Sequence, residues 1–153
     1  MSVATVRVQA EPFDAAVESA ALTRDRSDLG AVVTFTGLCR DEGGTLEALE
    51  IEHYPGMAEG EIAKVCAEAE ARWLLQGCRV IHRHGAIRPG EAIVLVVTAS
   101  AHRVAAFAAA DFLMDYLKSE APFWKRNRRH DTVDGSDWVA PKEADTEALD
   151  RWL

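Results

Sequence analysis

Two lysines carry the first chemical signal in this 153-residue chain: Lys118 and Lys125 stand seven positions apart with Pro122 between them. Proline cannot continue a helix, so a turn there can bring both amines to one cleft. A lysine withdrawn from water has a lowered pKa and can serve as acid, base or nucleophile. Residues 118–129 hold Lys118, Lys125, Arg126, Arg128 and Arg129 against Glu120, a local charge of +4 in a chain whose net charge is -8. Such a cluster suits a phosphate-bearing substrate or a partner's terminal carboxylate; as a solvated patch it would only balance an acidic surface.

A second candidate is the junction Thr98-Ala99-Ser100-Ala101-His102-Arg103, where an apolar strand pattern gives way to a helical one. A helix start offers unpaired N–H groups and a favourable dipole to an anion. Beside those donors His102 can exchange protons near neutral pH, and Arg103 presents a rigid fork that matches phosphate. The same pair also fits a blander role, a capping histidine and a surface arginine. Arg40 is the third candidate, at the point where a strand leaves the core and the loop Asp41-Glu42-Gly43-Gly44 begins; from there it can reach a ligand held by neighbouring elements.

Other chemistries lack their signatures. No GxGxxG or GxxxxGK[ST] follows a strand, no GxSxG elbow is present, and His53, His82 and His84 have no HExxH or cysteine pattern around them, so neither a cofactor nor a metal is expected. The excess of 25 acidic over 17 basic residues argues against a nucleic-acid coat. Cys39, Cys66 and Cys78 form an odd set without CxxC spacing, which reads as packing thiols in a reducing compartment. No run approaches about 18 apolar residues, and the N-terminus has no secretory pattern. The cytoplasm is the expected compartment, and nucleic acid and membrane are not expected partners.

The elements that must position these residues follow from periodicity. Val6 and Val8 suggest an opening strand, and Pro12 can occupy the first turn of a helix carrying Phe13, Ala16 and Val17. Gly30–Gly37 (GAVVTFTG) reads as a strand. Leu46–His53 reads as another, with Leu49, Ile51 and His53 on one face and Glu50 and Glu52 on the other. From Ala58, Ile62, Val65, Cys66, Ala69 and Trp73 recur at helical spacing until Gly77, and a strand follows through Val80 and Ile81. After Pro89-Gly90, Ala92–Ala99 is almost continuously apolar and reads as a central strand. His102–Lys118 is a second helix with Ser100 as its N-cap. Asp131–Ser136 reads as an exposed loop, and Trp138, Val139, Leu149, Trp152 and Leu153 supply bulk to pack on this chain or on a second copy. The expectation is an α+β fold, a mixed or antiparallel sheet with packed helices, in one domain spanning 1–153 whose last stretch, 131–153, is a partly flexible loop and packing segment.

Taken together, GAVVTFTGLCR, LEIEHYPGM, VIHRHGAIRPGE, VTASAHRVAAFAAADFLMDYLK and APFWKR resemble the large, catalytic subunit family of molybdopterin synthase, from about residue 29 to residue 142. The resemblance implies that family's two-layer α/β sandwich. It also implies sulfur insertion into cyclic pyranopterin monophosphate, with sulfur delivered by the thiocarboxylated tail of a ubiquitin-like small subunit and without a cofactor. Two large subunits would form the centre, each carrying one small carrier. On this resemblance the catalytic pair falls on Lys118 and Lys125, and substrate and anion binding fall on Arg40, His102 and Arg103. Asn127 stands where the family pattern suggests Glu, which puts an acid–base role there in doubt. The competing reading is a non-catalytic dimeric module that binds a ubiquitin-like tail or a phosphorylated ligand through the same basic cleft.

Overall fold

The computed structural model describes residues 2–41, 43–130, 136–140 and 142–153. In chain order the elements are β1 (Ala4–Gln9), α1 (Ala15–Thr23), β2 (Ala31–Leu38), β3 (Leu46–His53), α2 (Met57–Trp73), β4 (Gly77–Arg83), β5 (Gly85–Ile87), β6 (Ala92–Ser100), α3 (Arg103–Ser119), β7 (Phe123–Arg129), β8 (Ser136–Val139) and α4 (Glu143–Ala148), closed by a 3-10 turn at Leu149–Trp152. The expected α+β architecture is present, with its strands divided between two four-stranded sheets, ordered β1-β4-β6-β2 and β5-β3-β7-β8.

The first sheet is mixed, with β1 parallel to β4 and β6 antiparallel to both β4 and β2. Alternate side chains leave opposite faces of a strand. Cys78, Val80, Val94 and Val96 therefore pack against Ile62, Cys66 and Ala69 of α2 and Ala109, Leu113 and Leu117 of α3. Ile81, Leu95 and Val97 face the other way, toward Phe13, Ala15 and Leu22 around α1. Both faces are covered, which is why β6 reads as an unbroken apolar run. The second sheet is antiparallel throughout and has a smaller core of Cys39, Leu46, Ile51 and Ile87.

Several boundaries differ from the expectation for local reasons. α1 is capped by Asp14, whose Oδ1 accepts from the backbone N–H of Ala16 and Val17, so Pro12 lies before the helix. Ser100 remains in β6, paired opposite Ala31, and the N-cap of α3 is His102, which makes no side-chain capping bond. α2 stops at Leu74, which takes a left-handed conformation (φ 52°), and Gly77 instead opens β4. The segment after Pro122, read only as basic and aromatic, is the strand β7. Of the expected loop Asp131–Ser136, residues 131–135 lie outside the described residues, and Ser136 begins β8. Among the described residues no helix is long and apolar enough to cross a membrane.

The C-terminal turn is fastened to the helices. Trp152 packs edge-on against Trp73 and Phe112, its Nε1 donates to Asp115 at 2.5 Å, and its carbonyl accepts from Arg72 at 2.7 Å. Arg151 bridges Asp111 and Asp115. Trp152 thus supplies the expected packing within the chain, whereas Leu153 is fully exposed. The side chain of Trp138 lies outside the described residues.

Candidate active site

A cavity of about 530 Å³ opens where the two sheets meet the end of α3 and the C-terminal segment. That volume lies within the range typical of small-molecule sites. Its walls include Leu38 at the end of β2 and Arg40 just beyond it, Lys118 at the end of α3, four residues of β7, and Lys142 and Asp145 at the start of α4. Among the described residues, five cations, Arg40, Lys118, Lys125, Arg129 and Lys142, line it against the single carboxylate of Asp145. The electrostatics are those of a receptor for an anion.

Each wall has a local cause. α3 ends at Ser119, and Glu120 and Ala121 both donate their N–H groups to the Tyr116 carbonyl, so the chain turns tightly through Pro122 into β7. This turn brings Lys118 and Lys125 to one cleft, as their spacing across the proline suggested. Along β7 the period of two then sorts the basic cluster. Phe123, Lys125, Asn127 and Arg129 face the cavity, whereas Arg126 and Arg128 lie on the opposite face and both pair with Glu50 of β3. Arg40 is positioned from the other side, where backbone bonds from Cys39 N–H to Glu91 O and from Gly90 N–H to Cys39 O pin the end of β2. Asp41 Oδ1 then accepts from Leu46 N–H at 3.0 Å and closes the loop into β3.

Lys125 sits between apolar cross-strand neighbours, Ile51 on β3 and Val139 on β8. Burial, reinforced by the charge of Lys118 and partly opposed by Asp145, lowers its pKa from the usual 10.5 to about 8. It is therefore an amine that can lose its proton near the working pH of an enzyme, as general acid–base chemistry requires. Cys39, the one thiol near Arg40, is buried with its Sγ 3.7 Å from the Ile87 carbonyl, and burial raises its pKa. That is the environment of an inert packing thiol.

His102 and Arg103 are elsewhere in this chain. They are exposed at the N-terminus of α3, and Lys118 is near its C-terminus; a 17-residue helix is about 25 Å long. Gly30 holds their junction in place, since its N–H donates to the Ser100 carbonyl and a side chain there would collide with the carbonyl of Ala101. The cleft also contains three residues to which no role had been assigned: Arg129, Lys142 and Asp145. Arg129 follows from strand alternation once β7 is known, but nothing in the local sequence of the tail points to Lys142 or Asp145.

An α+β chain with a cationic, paired-lysine cleft at the seam of two sheets defines a class of enzyme built to handle an anionic substrate. The family model described as MoaE protein matches residues 8–120, and the chain belongs to that family. It is 67% identical over 148 residues, 97% of this chain and 92% of the relative, to a molybdopterin synthase catalytic subunit of Mesorhizobium japonicum. Among solved structures it resembles the molybdopterin biosynthesis MoaE protein of Burkholderia ambifaria (TM-score 0.83, 44% identity, 97% of each chain covered). It also resembles molybdopterin synthase of Staphylococcus aureus (TM-score 0.78, 30% identity, 87% of this chain and 95% of that one).

Proposed function

We propose that this chain performs the reaction of its family, sulfur transfer in molybdopterin synthesis, in the cleft that joins Lys118 and Lys125. The observation that carries this site assignment is the Lys125 amine, held beside Lys118 between apolar neighbours with its pKa lowered to about 8. A passive anion receptor has no use for a cation that is costly to keep charged, whereas a proton-transferring amine does.

The substrate is cyclic pyranopterin monophosphate and the sulfur donor is the C-terminal thiocarboxylate of a ubiquitin-like small subunit, acting in the cytoplasm. Arg40 and the other cavity cations hold the phosphate. Lys125 donates and accepts protons as the thiocarboxylate sulfur attacks the pterin side chain and the cyclic phosphate opens, and Lys118 neutralises charge on the carrier's terminal carbonyl. Holding the carrier tail and the substrate in one cavity makes the attack effectively intramolecular. The attack leaves carrier and substrate joined as a thioester; water hydrolyses it, breaking the carrier's own C–S bond, so the sulfur stays on the pterin side chain and the carrier departs as a carboxylate. Each carrier delivers one sulfur, so formation of a dithiolene requires a charged carrier to replace the spent one.

A second copy of the chain completes the site. β2 is an edge strand, and its eight residues span about 26 Å, from Ala31, opposite Ser100 at the α3 junction, to Leu38 in the cleft wall. This path leaves apolar side chains outside: Val32, Phe35 and Leu38 on β2, with Val104 (73% exposed) and Phe107 (61%) beside His102 and Arg103. A two-fold pairing across this edge covers that surface and brings the second copy's His102 and Arg103 toward the cleft, where they add to the anion-binding groups.

The test is single-turnover dithiolene formation from cyclic pyranopterin monophosphate and thiocarboxylated carrier. Lys125→Ala is expected to lower the rate by about a thousandfold, the scale of a lost proton-transfer group, and Lys118→Ala by a smaller but clear factor, with both variants still binding the carrier. Wild-type rates in either variant would remove that lysine from the mechanism. Carrier binding without any product from the wild-type chain would leave a binding module.

A further inference from the structure

Behind the main cleft lies an inner cavity of about 30 Å³. The two share Leu38, Ile93, Leu117, Lys118 and Lys125, but His82 of β4 lines the inner one alone. Such a volume holds about one water molecule. His82 is only 2% exposed, and its ring is stacked on Phe123, centroids 3.9 Å apart and 14° from parallel. Phe123 lies two residues before Lys125 on the same face of β7. One ring nitrogen, Nδ1, is 2.8 Å from the Arg83 carbonyl. A carbonyl only accepts, so Nδ1 carries the proton and Nε2 presents a lone pair. Nε2 has no hydrogen-bond partner among the described residues, and neither has the Lys125 amine.

We propose that His82 is a positioning residue for the lysine pair, with Nε2 accepting a hydrogen bond from one water in the inner cavity that in turn accepts from the Lys125 ammonium. Neither Nε2 nor the Lys125 amine is fully sealed from water, but His82 and Lys125 line the same small cavity, where few waters can enter and a neutral acceptor and an ammonium are best served by one shared partner. The charged groups that face the ring are Lys125 from β7 and Lys118 from α3, with His53 from β3 as the remaining titratable neighbour. Burial and the two lysines push the imidazole's own pKa down to about 3, the Arg83 carbonyl opposing them, so the ring stays a neutral acceptor throughout the range in which Lys125 titrates. An acceptor that favours the ammonium raises the titration point of Lys125 above what burial alone would give.

The inference depends on the role proposed for Lys125 only for its effect on rate; the contact itself is tested without turnover. In the full chain, the pH dependence of Lys125 acylation, read by mass spectrometry, reports its titration point. Asn at position 82 keeps a donor for the Arg83 carbonyl but places no acceptor at Nε2, whereas Gln can present an oxygen there. His82→Asn should lower the Lys125 titration point by about one pH unit, a tenfold change in the proton equilibrium, and His82→Gln should largely restore it. An unchanged titration point in His82→Asn, or an equal shift in both variants, would overturn the proposal. Should either variant fail to fold, the 15N shifts of the wild-type ring decide: Nε2 must be the unprotonated nitrogen and must respond to Lys125→Met. A protonated Nε2, or one indifferent to that substitution, overturns it equally. If the contact is present but Lys125→Ala turns over normally, the positioning stands and the catalytic assignment falls.

Discussion

In the first sheet, β6 runs nine residues, AIVLVVTAS, without a charge; in the second, β7 places four cations in seven residues, FWKRNRR. The first strand has helices over both faces and is held by packing. The second has the cleft on one face and the Glu50 ion pairs on the other. Rigid apolar structure and costly polar structure are thus placed side by side, and the cavity lies on the seam. The difference teaches that the scaffold can tolerate a half-buried ammonium because its stability is generated elsewhere. Removing an apolar side chain from the first sheet and removing the half-buried ammonium from the second should therefore change stability with opposite signs.

The largest effect belongs to the first sheet. Leu95 is fully buried between Ile81, Val97 and the α1 side chains. Leu95→Ala is expected to cost about 3 kcal/mol in urea unfolding, the transfer loss plus a cavity, while the folded fraction keeps its sulfur-transfer rate. A cost below about 1 kcal/mol would mean that the apolar sheet is not the source of rigidity.

The second effect has the opposite sign. Below pH 8 the folded chain carries the whole penalty of a charged Lys125, because its folded pKa of about 8 lies under the unfolded value near 10.5. Between those values the unfolded chain binds more protons, so stability rises with pH across that window. Lys125→Met keeps the length of the side chain and removes the charge. It should stabilise the chain by about 2 kcal/mol at pH 7, with the gain fading between pH 8 and 10.5 as wild type sheds its proton. Thermal unfolding at pH 7 and pH 10 measures it, and destabilisation at pH 7 would show that the ammonium is held favourably.

The same contrast decides what could be read from the sequence. The central strand β6 announced itself because both its faces bury apolar residues, and β3 did so because Leu49 and Ile51 alternate with Glu50 and Glu52. β7 offered no such alternation, since Lys125 and Arg129 on its inner face are as polar as Arg126 and Arg128 on its outer face. The cluster was therefore legible as charge, and its division into site and support was not. The meeting of Lys118 and Lys125 was legible because Pro122 forces a turn. The distance from Lys118 to His102 was also available, from helix rise alone, but placing both in one site needs a second copy. Lys142 and Asp145 reach the cleft through contacts distant in sequence, with Trp152 and Arg151 fastening the tail to α2 and α3.

The smallest effect tests the outer face of β7. Glu50 lies opposite Arg126 in register and pairs with both Arg126, at 2.6 Å, and Arg128. Its side chain is 14% exposed, whereas those of the arginines are 30% and 49% exposed, so water solvates the cations better than the carboxylate. Glu50→Gln keeps the shape and removes the charge that neutralises two neighbours. A cost of about 1 kcal/mol follows, at the upper end for pairs near the surface, and high salt should shrink it by screening the repulsion left between the two guanidinium groups. Glu52 is more exposed, with its oxygen 3.4 Å from Arg126, so Glu52→Gln should cost less still. Urea unfolding at low and high salt separates the two. Equal costs would mean that the outer face is a solvated surface rather than the support on which the cleft-facing side of β7 rests.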